Sequence, residues 1–86
     1  MREIEELPTN FVENLHRTIG ANVQRIRKEK GISQLKLSYA MGYKSVSTVS
    51  CAEIYLNNIH FNTEHLAKIA YILEVDICEF FVGIDS

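Results

Sequence analysis

Eighty-six residues, 47% hydrophobic and 23% charged, suit one globular domain near the lower size limit for a self-sufficient core and exclude a disordered chain. No apolar run is long enough to span a bilayer, the N-terminal MREIEELP lacks the apolar stretch of a signal peptide, and the two cysteines, Cys51 and Cys78, read as free thiols of a cytoplasmic protein. The net charge of −2, taken alone, argues against a polyanionic partner.

Residues 1–10 read as an acidic N-terminal arm and residues 11–86 as the folded unit. Asn10 with Glu13 makes a capping box behind Pro8 and opens a helix. Phe11, Leu15, Ile19, Val23 and Ile26 recur at helical spacing up to the terminator Gly31. Gly20, unfavourable inside a helix, predicts a close crossing by another element. Ser33 caps a second helix, Gln34 to Met41, which Gly42 ends and whose apolar stripe is Leu37 and Met41. Ser45 caps a third helix over 45–53 with Val49 and Ala52 inward, and Asn57 and Asn58 suit its exit. Asn62 caps a fourth helix carrying Leu66, Ile69, Ala70 and Leu73. Asp76 and Glu79 make another capping box and open a short fifth helix around Ile77, Phe80 and Phe81. No strand-like alternation persists, so the expected fold is all-α with five helices.

The charge is unevenly spread. Residues 17–48 hold seven bases (Arg17, Arg25, Arg27, Lys28, Lys30, Lys36, Lys44) against one acid, Glu29, whereas residues 1–16 carry −3 and residues 49–86 carry −5. A dipolar chain can offer one face to a polyanion and keep the other away, although a solvated basic face explains the same count. Two short helices joined at Gly42, the second rich in Ser and Thr, follow this basic run. That is the arrangement needed to lay one helix in the major groove of DNA while the other braces against phosphate.

The stretch IGANVQRIRKEKGISQLKLSYAMGYKSVSTVSCAE followed by NTEHLAKIAYILEVDICEFF resembles the Cro-like, lambda-repressor-like family of helix-turn-helix regulators, over about residues 19–81. The resemblance implies a compact five-helix domain with helices two and three as the helix-turn-helix. It implies that Gln34 contacts phosphate, that helix 45–53 enters the groove with Val46, Ser47 and Cys51 toward base edges and Thr48 and Ser50 beside the backbone, and that Arg27 and Glu53 form a buried ion pair. Lys36 and Lys44, basic and flanking that helix, are expected to grip phosphate as well. The pattern departs from the family's commonest form in a longer turn GYKSVS, in the absence of Glu-x-Gly after helix three, which suggests that this helix runs on by a turn, and in the lack of Arg, Gln or Asn for bidentate base reading. Lys44, in the turn beside Ser45, is the nearest strong donor to the bases.

His16, His60, His65, Cys51 and Cys78 lack metal-ligand spacing, and no Gly-rich phosphate loop, nucleophile elbow or carboxylate pair is present, so neither metal, cofactor nor catalysis is expected. Cys51 reads as a small residue on an exposed helix face or as a redox sensor, and Cys78 as part of the C-terminal core. Tyr43 and Tyr55 suit stacking, phosphate contact or partial burial. The apolar tail, with Phe80, Phe81, Val82 and Ile84, exceeds what one short helix can turn inward and predicts a homodimer on a near-palindromic operator. Alternatives are a helical protein-interaction module that has kept the fold without DNA binding, and an antitoxin or a restriction-modification controller with its own protein partner.

Overall fold

The computed structural model describes residues 1–84; the end of the expected 11–86 unit, Asp85 and Ser86, lies outside the described residues. Four α-helices, α1 (Phe11–Glu29), α2 (Gln34–Ala40), α3 (Ser47–Glu53) and α4 (Thr63–Leu73), alternate with 3-10 segments at Ile4–Glu6, Leu56–Asn58 and Ile77–Phe81. Among the described residues there is no strand. Nor, among the described residues, is any helix long and apolar enough to cross a membrane.

The helix ends follow local chemistry. α1 closes in a Schellman motif: Gly31 takes φ 72°, its N–H donates to the Lys28 carbonyl, and the Ile32 N–H donates to that of Arg27. α2 closes the same way around Gly42, with Gly42 N–H to Tyr39 and Tyr43 N–H to Ser38. α4 repeats the pattern with Glu74 N–H to Tyr71 and Val75 N–H to Ala70, but there a glutamate holds the left-handed conformation at φ 57°. At the starts, the Ser33 hydroxyl accepts from the Lys36 N–H at 3.0 Å. Asn62 makes a capping box with an unusual partner: its Oδ1 accepts from the His65 N–H at 2.7 Å, and His65 Nδ1 accepts from the Asn62 N–H at 3.0 Å.

Other ends differ from the sequence expectation. Asn10 makes no side-chain cap, its backbone at φ −100°, ψ 10° not being the extended form of the caps at Ser33 and Asn62, and Glu13 turns instead to Arg17 one turn on at 3.1 Å. α3 begins at Ser47, with Val46 already in helical conformation as its cap residue. Ser45 offers only a long 3.4 Å acceptor to the Ser47 N–H. Nor does α3 run on as a helix: Tyr55 turns left-handed at φ 56° and the chain enters a kinked 3-10 segment. The fifth helix is a 3-10 segment of five residues. Asp76 caps it through the Cys78 N–H at 2.9 Å rather than through a reciprocal box, and the Asn22 amide on α1 donates to the carbonyls of Phe80 at 2.9 Å and Val82 at 2.7 Å. Carbonyls drawn to a neighbouring side chain stay out of an α-helical ladder.

The core joins Ile19, Val23 and Ile26 of α1 to Leu37, Val49, Phe61, Leu66, Ile69 and Leu73. Phe80 is its largest fully buried side chain. Phe80 is therefore a core residue and not part of a dimer face: it anchors the tail across α1, and only the chain beyond it emerges. Phe81 and Val82 are exposed, whereas Ile84 packs back against the core.

Candidate nucleic-acid interface

Gly20 lets α1 approach the end of α3 more closely than any residue with a Cβ permits. A Cβ built there would stand 2.6 Å from the carbonyl oxygens of both Ala52 and Glu53. That approach brings Arg27 of α1 onto Glu53. Arg27 Nε donates to Glu53 Oε2 at 2.7 Å and Nη2 to Oε1 at 3.0 Å, a bidentate fork between side chains exposed by only 6% and 0%. Arg27 Nη1 donates to the Ile32 carbonyl just past α1 at 2.8 Å. Glu53 Oε1 also accepts from Gln34 Nε2, the first residue of α2, at 2.8 Å. One carboxylate thus ties three helices together, and each polar atom of the buried pair is met, as burial of charge requires.

Gln34 directs one amide N–H to Glu53 and its side chain is half-buried, which leaves its second amide N–H uncommitted. The remaining expected contacts divide by exposure. Lys36, Lys44, Ser45 and Ser47 are exposed, while Val46, Thr48, Ser50 and Cys51 are half-buried. The hydroxyls are partly spent within the chain. Ser50 Oγ donates to the Ser47 carbonyl at 3.2 Å and Ser45 Oγ to Ser47 Oγ at 3.3 Å, leaving mainly acceptor lone pairs outward at those two residues.

The basic run is also smaller than its sequence count. Arg27 is neutralised in the core, Arg17 pairs with Glu13, and Arg25 pairs with Glu29 at 3.3 Å. Lys28, Lys30, Lys36 and Lys44 make no ion pair among the described residues.

Two cysteines and two tyrosines complete the surface. Cys78 is exposed rather than part of the C-terminal core, and the hydrogen bond and charge of Asp76 push its thiol up, away from the reactive thiolate. In return the Cys78 backbone N–H holds the Asp76 carboxyl below its usual value. Cys51 is half-buried. Tyr43 meets His65 edge-on at 6.3 Å. Tyr55 stacks on His16 at 5.5 Å under the Arg17 guanidinium, also 5.5 Å from the ring centre.

The sequence reading missed the Gln34–Glu53 bond, the Asn22 clasp on the tail and a stack of His16 on His60 at 3.9 Å. Their partners lie 19, 58 and 44 residues apart, where no local pattern marks them. Among the described residues no group of three or more His, Cys, Asp or Glu side chains is placed to hold a metal ion. Neither protein-family models nor curated proteins give a match to this chain.

Proposed function

We propose that this chain is a sequence-preferring, DNA-binding transcriptional regulator of the Cro-like, lambda-repressor-like helix-turn-helix type, a repressor or autoregulator of the cytoplasm. In this reading α2 and α3 form the helix-turn-helix and the outer face of α3 enters the major groove. The observation that carries the reading is the single buried carboxylate of Glu53, which fixes α2 and α3 to α1. That clamp holds a short, polar helix next in the chain after two exposed lysines, Lys36 on α2 and Lys44 in the turn. A helix about 10–12 Å across with its side chains fits a groove about 12 Å wide. Ser47 and Thr48 read bases permissively, Val46 at the helix start can meet a thymine methyl, and Ser50 and Cys51 lie at the half-buried margin. DNA shape supplies part of the preference.

A dimer suits such a weak reader, since two linked half-sites multiply affinity without new contacts. The exposed Phe81 and Val82 offer it a surface. Two α3 helices about one DNA turn, roughly 34 Å, apart would select a near-palindromic operator. An antitoxin or a restriction-modification controller is a regulator of this same kind.

The test is titration of genomic duplex fragments at two salt concentrations. Binding is expected to weaken with salt, and Lys36→Ala and Lys44→Ala should each flatten the slope of log affinity against log salt by about 0.9. Absence of binding at low salt would refute the reading. It would favour a helical protein-interaction module, for which Leu35 and Tyr39, exposed one turn apart on α2, are the specific support.

A further inference from the structure

The loop between α3 and α4 is unusual in its backbone. Tyr55, Asn57 and Asn58 all hold positive φ, at 56°, 53° and 64°; asparagine tolerates this region, but a tyrosine there persists only where the surroundings enforce it. Phe61 anchors the loop's far end in the core, but Ile54, Leu56 and Ile59 are exposed and do not hold its left-handed stretch. The loop is held instead by contacts with one face of α1. Arg17 Nη1 donates to the Ile54 carbonyl at 3.2 Å. The His16 ring stacks on His60, centroids 3.9 Å apart and planes 23° from parallel, and on Tyr55 with planes 17° from parallel.

The His16 ring is set up to be neutral. His60 Nδ1 lies 2.9 Å from the Asn58 carbonyl, an acceptor, so this nitrogen carries the proton of the neutral ring. His16 Nδ1 is buried with no hydrogen-bond partner. A proton added there would place a charged N–H where nothing accepts it, against a second ring one stacking distance away. Burial first, and His60 second, hold His16 below the usual imidazole value.

The other groups around the stack do not relieve this. On α1, Glu13 lies one turn before His16 but is taken by Arg17, whose cation sits over Tyr55. On α4, His65 is itself held low, by burial first, with Glu64 opposing and Lys68 and His60 adding to the shift. Nor is the pair a metal site: the lone pairs of nearly parallel stacked rings lie in separate planes and do not converge on one ion.

We propose that the His16–His60 stack is a pH-sensitive latch that fastens the α3–α4 loop to α1 while His16 is neutral and releases it on acidification. The latch acts on the fold and operates whatever the chain binds. A ring that is harder to protonate when latched contributes stability that is fully present above the ordinary imidazole value of 6.5. That contribution is lost as pH falls below 6.5 toward the lowered folded value. One proton taken up only in the open loop raises the opening equilibrium about tenfold per pH unit in that window.

The experiment is NMR of the full chain between pH 8 and 5, following the histidine ring signals and the exchange protection of the Ile59 amide, which donates to Leu56 within the loop. His16 is expected to titrate below 6.5, and loop protection to fall with a slope near one per pH unit once intrinsic exchange is divided out. His16→Phe keeps a stacking ring that takes no proton and should abolish the slope. His60→Phe keeps the stack and the burial of His16 Nδ1 but removes the second ring's charge, so the slope should persist while His16 titrates closer to 6.5. His65→Gln, which keeps the capping geometry, should leave the slope intact. A flat profile in the native chain, a slope that survives His16→Phe, a His16 titration that His60→Phe leaves unmoved, or a slope that vanishes in His65→Gln overturns the proposal.

Discussion

Removing one partner of the Arg27–Glu53 pair should be among the costliest single changes in this protein, and the two halves should not cost the same. Arg27→Met leaves a carboxylate of zero exposure with only the Gln34 amide against it. Glu53→Gln leaves a guanidinium that keeps the Ile32 carbonyl and a side-chain oxygen still able to accept. Orphaning a buried charge costs about 3–5 kcal/mol, so Arg27→Met belongs at the upper end and Glu53→Gln at the lower. A domain of this size is stable by about 5–10 kcal/mol in all, so Arg27→Met removes about half. At about 4–8 °C per kcal/mol, even 3 kcal/mol lowers Tm by more than 12 °C. Urea melts of the two single variants and of Arg27→Met/Glu53→Leu give the coupling. The double variant should recover most of the loss, because an apolar pair carries no desolvation cost. Gln34→Ala should cost about 1.5–2 kcal/mol, the worth of one hydrogen bond to a charged group. Losses below about 0.5 kcal/mol in both single variants would mean that the fork is not formed, since solvated ion pairs are worth that little.

Three further outcomes follow from particular positions. Gly20→Ala gains about 1 kcal/mol of helix propensity, yet its Cβ meets two backbone carbonyls at 2.6 Å, so calorimetry should show a net loss of about 2 kcal/mol or more; a raised Tm would contradict the close crossing. Glu74→Gly relieves a left-handed residue and removes a negative charge from a helix C-terminus, so chemical denaturation should show a gain of about 1 kcal/mol. Phe81→Glu, at an exposed site beyond the buried Phe80, should turn a dimer into a monomer in sedimentation at tens of micromolar with unchanged circular dichroism, and a native chain that is monomeric there rejects the tail as a dimer surface.

What the sequence determined alone is what depends on neighbours within a turn or two. The Ser33 and Asn62 caps, the helix ends at Gly31 and Gly42, and the inward stripe of Ile19, Val23 and Ile26 each rest on bonds or spacings inside five residues, so local pattern suffices to place them. Tertiary structure decided the rest. Gln34 turns from solvent to Glu53 because Gly20 lets α1 close on the end of α3. Phe80 goes inward, and the fifth helix becomes a 3-10 segment, because Asn22 of α1 draws off the tail's carbonyls. The loop after Glu53 turns left-handed rather than extending α3, and His16, Tyr55 and His60 meet beside it. In each case the deciding partner lies far along the chain, and the energy that selects it appears only when the helices have packed.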